Sequence, residues 1–168
     1  MFVPSTTVSN VRDVILGGSS VLVVGSWVVG KTTLLENVRM LLAGRAAEVD
    51  HSSNEIPPDD RVLFLDDVER LPPRAVRQVA VRIARRHPTI MSSSTLPAVP
   101  SALHRSLLDS DSAIVRLGTL DTREAAELTR HWGIDRTPGE LFDLHVQSGG
   151  IGRLLRALVA SQTAADTF

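Results

Sequence analysis

No cysteine occurs in the 168 residues, which excludes disulfides and thiolate zinc sites. The histidines His51, His87, His104, His131 and His145 fall at no ligand-like spacing, so no structural metal is expected. No apolar run is long enough to span a bilayer, and residues 1–4 lack the basic start of a signal peptide. A cytoplasmic protein with no membrane partner is therefore expected. Excess charge is missing too: a net of −1 gives no global reason to expect nucleic-acid binding. Lysine is almost absent. Of 18 cationic side chains one is lysine, Lys31, and a compact ammonium against so strong an arginine bias suggests a role that a planar guanidinium cannot fill.

That lysine stands in the stretch around which the chain is organised. Val21 to Val24 form an aliphatic, strand-like run, followed by Gly25-Ser26-Trp27-Val28-Val29-Gly30-Lys31-Thr32-Thr33, in which Gly30-Lys31-Thr32 opens a helical pattern. This is the strand–loop–helix context of a phosphate-binding loop. Gly25 and Gly30 let the backbone approach an anion, and N–H groups at the start of the helix point at phosphate oxygens. Lys31 supplies a point charge to those phosphates, and the Thr32 hydroxyl a ligand for Mg²⁺.

The second landmark is Val62-Leu63-Phe64-Leu65-Asp66-Asp67. Four buried-strand residues ending in two carboxylates put both acids at the carboxyl end of a parallel strand, where open α/β sheets bind ligands. Asp66 suits Mg²⁺ held through its water shell, and Asp67 suits orienting or deprotonating an attacking water. Paired acids also cap helices; behind a phosphate loop the functional reading is preferred.

The 43% hydrophobic content supports one α/β core and a small helical appendage. Periodicity predicts helices over 8–16, 33–42, 73–86 and 101–108, with strands over 21–24, 47–50, 62–65, 89–94 and 113–117. Leu34, Leu35, Val38, Leu41 and Leu42 are expected on the buried side of the second helix, and residues 51–60 in an exposed loop. In the third helix Val76, Val79, Ala80 and Ile83 are expected inward, with Arg74, Arg77, Arg82, Arg85 and Arg86 outward as a solvated or partner-facing row. From Leu120 the pattern is wholly helical. Asp121 with Glu124, and Thr137 with Glu140, are capping-box signatures, and a third helix follows Gly150. The expected fold class is α/β, a three-layer P-loop NTPase parallel sheet with a small C-terminal helical lid. The core is expected over 1–118 and a partial lid over 119–168.

These motifs resemble the ATPase domain of the AAA+ and STAND classes, and most of all the nucleotide-binding region of large LuxR-type bacterial regulators. The resemblance runs over roughly residues 8–160, through Gly25 to Thr32, Leu65-Asp66-Asp67, Ser92 to Ser94, Leu117 to Ala125, and Gln147 to Gly150. It implies ATP and Mg²⁺ as cofactors, a γ-phosphate sensor at Ser92 or Ser93, and a lid sensor at Arg153, three residues after Gly150. Adenine is preferred by resemblance, no guanine-reading Asn-Lys-x-Asp segment being present. The chain departs from the family at Val28, where a glycine is usual; at Ser94, where arginine is frequent; at Gly150-Ile151-Gly152, where STAND lids have glycine–x–proline; and in the separation of Asp66 from Lys31 by only 35 positions, too few for the usual helix between the second and third strands.

The function expected is an ATP-binding, Mg²⁺-dependent switch with slow hydrolysis in signal transduction or transcription regulation, with Lys31, Asp67 and Ser93 as its catalytic set. Its partners would be ATP or ADP, further regulator domains or copies of itself. The alternatives are a non-catalytic interaction module with a degenerate loop, and a loader-type AAA+ protein whose basic face meets nucleic acid.

Overall fold

The computed structural model describes residues 5–26, 29–42, 44–48, 56 and 61–165. Seven α-helices and five strands are described: α1 (Ser5–Leu16), β1 (Val21–Val24), α2 (Lys31–Leu41), β2 (Ala46–Glu48), β3 (Val62–Leu65), α3 (Pro73–Ala84), β4 (Thr89–Ser93), α4 (Ser101–Asp109), β5 (Ala113–Arg116), α5 (Thr122–His131), α6 (Pro138–Ser148) and α7 (Gly152–Ala165). The strands form one parallel sheet in the order β2-β3-β4-β1-β5. Strands buried on both faces need apolar residues at every position, which is why 21–24 and 62–65 read as unbroken aliphatic runs.

Side chains alternate across the sheet. Val21, Val23, Val62, Phe64 and Ile90 pack with α1 and α2 on one face. Leu22, Leu63, Leu65 and Met91 pack with α3 and α4 on the other. The sheet thus lies between two helical layers, as expected for the α/β P-loop NTPase fold. Helices α5, α6 and α7 bury a cluster of their own, Ala125, Leu128, Leu144, Leu155 and Val159. Both capping boxes form, with Asp121 and Thr137 accepting from the backbone of Glu124 and Glu140 and each glutamate answering the cap's N–H.

Several expectations are corrected. Helix α1 starts three residues earlier than its apolar spacing indicated, whereas α2 opens at Lys31, within the Gly30-Lys31-Thr32 stretch expected to open it. Strand β2 lies one residue earlier than expected, pairing Ala46 with Val62, and residues 49–50 are outside the described set. The loop at 51–60, apart from Ile56, lies outside it too, and with it the question of a helix between β2 and β3. Leu41, placed on the buried side, is 53% exposed: it ends α2 at the edge of the stripe made by Lys31, Leu34, Leu35 and Val38. Arg82, placed outward, is only 3% exposed. It sits three residues from Val79 and seven from Ala75, on the inner face, and its guanidinium donates to the Arg61 carbonyl.

Candidate functional site

Strand β1 runs between β4 and β5, with Val24 in register with Ser93 and Arg116, so its loop emerges at the carboxyl end of the sheet, one strand in from the β5 edge. There the Gly25 N–H donates to the Ser93 carbonyl at 3.2 Å. A Cβ on Gly25 would stand 2.6 Å from Val29 Cγ2 and 2.7 Å from the Leu117 carbonyl oxygen. The close approach this glycine permits is thus to the chain leaving β5. The Val29 N–H reaches back to the Ser26 carbonyl at 3.5 Å. Gly30, at φ 101°, turns the chain into α2. Trp27 and Val28 lie outside the described residues.

Lys31 is 6% exposed. Its Nζ donates to the carbonyls of Gly25 at 2.9 Å and Ser26 at 3.2 Å. The ammonium therefore spans the base of the loop and fixes both of its ends. Thr33 is half-buried and Thr32 exposed. The N–H groups of the first turn of α2 have no intrahelical partner, and with the helix dipole they favour an anion at the loop.

Asp66 follows β3 on the same side as Val62 and Phe64, the side that α2 covers. Its Oδ2 accepts from the Thr32 hydroxyl at 2.6 Å, bringing together residues 34 apart in the chain. Its Oδ1 accepts from the Ser92 hydroxyl, and the same Ser92 oxygen accepts from the Asp67 N–H at 2.9 Å. Ser92 is thus the hydroxyl that joins the cluster. Ser93, the serine named for catalysis, faces the other way and donates to the Thr95 carbonyl at 2.9 Å, because neighbouring residues of a strand point to opposite faces. Asp67 adopts a left-handed backbone, φ 46° and ψ 63°, at the turn into the single helical turn Val68–Arg70. Its carboxylate has no hydrogen bond or ion pair among the described residues.

Glu69 escaped the sequence reading. Its Oε1 accepts from the Ser94 N–H at 2.9 Å and ties the end of β3 to the end of β4. Burial pushes its carboxyl upward, but hydrogen bonding, chiefly from its own N–H and from the Ser94 N–H, outweighs this and holds it below the usual glutamate value. The available signal was an acid three residues after Asp66, the spacing of one helical turn. Arg153, in contrast, is exposed in the first turn of α7 and has no hydrogen bond or ion pair among the described residues. It is not gathered into the cluster.

A hydroxyl and a carboxylate in contact, beside a helix N-terminus and an ammonium, make a donor set suited to a hard cation with a polyphosphate. Mg²⁺ prefers one or two protein oxygens, with waters and phosphates completing its octahedron, and Thr32 with Asp66 supply two. Among the described residues no helix is long and apolar enough to cross a membrane.

No protein-family model and no curated protein matches the sequence. Solved structures match in fold. The Thermotoga maritima RuvB Holliday junction branch migration motor has a TM-score of 0.66 and 16% identity, over 92% of this chain and 60% of its own. A DNA replication initiation factor has a TM-score of 0.63 and 14% identity, over 98% of this chain and 63% of its own. The chain thus spans less than two thirds of the length of either. The likeness establishes the α/β P-loop NTPase fold.

Proposed function

We propose that this chain is an AAA+-type nucleotide switch that binds ATP with Mg²⁺ and hydrolyses it slowly. One observation carries the reading: behind a Gly25-to-Lys31 loop, the Thr32 hydroxyl meets the Asp66 carboxylate at 2.6 Å. In this reading the backbone of Gly25, Ser26, Trp27, Val28, Val29, Gly30 and Thr33 cradles the phosphates. Lys31 meets their β- and γ-oxygens, and Thr32 and Asp66 hold the metal. Bound Mg²⁺ would neutralise charge developing on the phosphates. Asp67 accepts the proton of the attacking water, its unbonded carboxylate being free for that role. Ser92, on Asp66 and the Asp67 N–H, is better situated than Ser93 to feel the γ-phosphate. Arg153 would join only when the lid, residues 119–168, moves against the core, residues 1–118.

Adenine specificity, self-association and a role in signal transduction or transcription regulation of the LuxR type rest on the sequence resemblance, and a cytoplasmic location on the composition of the sequence. A second reading, an AAA+ protein acting on nucleic acid, has support of another kind, since the structures of like fold are named for Holliday-junction migration and DNA replication.

Thermal shift with ATP, ADP and GTP, each with and without Mg²⁺, tests the proposal. Ligand at a hundred times its Kd should add about 2.7 kcal/mol of stability. Shifts with ATP and Mg²⁺ that vanish in Lys31→Ala support it. No shift with any nucleotide would leave the non-catalytic module as the better reading.

A further inference from the structure

Charge is balanced over the whole chain but not along it. Residues 70–108 hold seven arginines and no Asp or Glu, while the other 129 residues hold 11 cationic and all 19 acidic side chains. The segment includes α3 and α4, the layer that covers one face of the sheet. At 100° per residue, Arg74, Arg77, Val81 and Arg85 fall within about 80° of one another, opposite the buried Ala75, Val79 and Ile83. All four are exposed, and Val81, at 50%, is the apolar residue among them. Elsewhere arginines find carboxylates, as Arg12 does with Asp13, Arg123 with Glu127 and Arg136 with Glu140. The guanidinium groups of Arg74, Arg77, Arg85 and Arg86 have no hydrogen bond or ion pair among the described residues.

Arg86 adds an observation of a different kind. Its N–H donates to the Ile83 carbonyl at 2.9 Å, and the following His87 N–H donates to Arg82 at 3.1 Å, which together close α3 in the manner of a Schellman turn. The turn requires a left-handed residue, usually glycine, and Arg86 occupies it at φ 61°. An arginine kept where the backbone prefers glycine points to a use for its charge.

We propose that the outer face of α3 docks the phosphate backbone of a nucleic acid without reading its sequence. A protein partner would require aromatic or aliphatic anchors at the centre of the patch, and this stripe offers Val81 alone. A duplex carries one negative charge per about 1.7 Å of axis, so the roughly 16 Å from Arg74 to Arg85 faces several phosphates. The surface is separate from the nucleotide site and stands or falls apart from it.

Fluorescence anisotropy of a labelled random duplex of about 20 base pairs, and of its single strand, over a salt series, tests this. The full chain should bind at low salt, with log K falling against log salt at a slope of about −3, as three phosphate contacts give. The triple variant Arg74→Gln, Arg77→Gln, Arg85→Gln should bind at least tenfold more weakly with a flatter slope, its ATP-induced thermal shift unchanged. Arg86→Gly should weaken binding while its melting temperature holds or rises, which loss of a purely structural residue would not do. No binding of either strand form at low salt, or equal binding by the triple variant, would overturn the proposal. So would a polyglutamate peptide that binds this face and is not displaced by duplex, since the partner would then be an acidic protein.

Discussion

A methyl group added at Gly25 has nowhere to go, with Val29 Cγ2 at 2.6 Å and the Leu117 carbonyl at 2.7 Å. Gly25→Ala should therefore destabilise the fold by about 1–3 kcal/mol, visible as a lowered denaturant midpoint. The glycine was legible in the sequence; its neighbour was not, since only the β1–β5 pairing brings residue 117 to residue 25. Asp67 makes the opposite prediction. Asn and Asp tolerate the left-handed backbone better than most residues, so Asp67→Asn should melt with the wild type and bind ATP nearly as well. An amide accepts no proton, so turnover should be lost, and turnover at the wild-type rate would mean another group is the base. Lys31, the single lysine, was legible by its rarity alone. Its burial against the Gly25 and Ser26 carbonyls depends on how the loop closes, which composition does not encode.

Elements announce themselves when a local rule dictates them. The capping boxes of α5 and α6 were readable because cap and partner lie three residues apart. Replacing the caps tests this: Asp121→Ala and Thr137→Ala should each cost about 1 kcal/mol, measured by chemical denaturation. Parity within a strand is equally local. Ser92 shares a face with Ile90, and Asp66 with Phe64, so their meeting with α2 followed from period-two alternation once the order of layers was known. That order was not local. The link at Glu69 also joins two elements distant in sequence, and it carries a pH dependence. Because hydrogen bonds hold the Glu69 carboxyl below the usual glutamate value in the folded protein, its contribution is present above the unfolded value and is lost as pH falls through the depressed one. The acid limb of a stability–pH curve should therefore be shallower in Glu69→Gln. An identical limb would mean that the Ser94 link is energetically idle.

At the scale of the molecule, the fold class was legible because two motifs sit in the right strand contexts, yet nothing in either motif places β4 between β1 and β3. Strand order is settled by which faces can be covered at once, a property of the assembled layers. The same holds for the joint between the α/β layer and helices α5 to α7. The Leu120 N–H, just ahead of α5, donates to the Gly150 carbonyl at 2.7 Å, pinning the chain that leaves the sheet to the turn between α6 and α7. Gly150 is at φ 70°, and a Cβ there would stand 2.4 Å from the Leu120 carbonyl oxygen and 3.0 Å from Thr119 Cβ. Its neighbour Gly149 is also left-handed, at φ 58°, but nothing lies within 4 Å of where its Cβ would be. The two glycines therefore separate strain from collision. Gly149→Ala should cost about 1–2 kcal/mol, the left-handed penalty alone. Gly150→Ala should lose about 1–3 kcal/mol more through overpacking, and should loosen α5, α6 and α7 from the sheet. Hydrogen exchange reads the difference. In Gly150→Ala, amides of α5 to α7 should lose protection while those of β1, β3 and β4 keep it. If the two variants lose equal stability and show the same exchange pattern, the Leu120–Gly150 contact does not hold α5 to α7, and these helices must be anchored by other means.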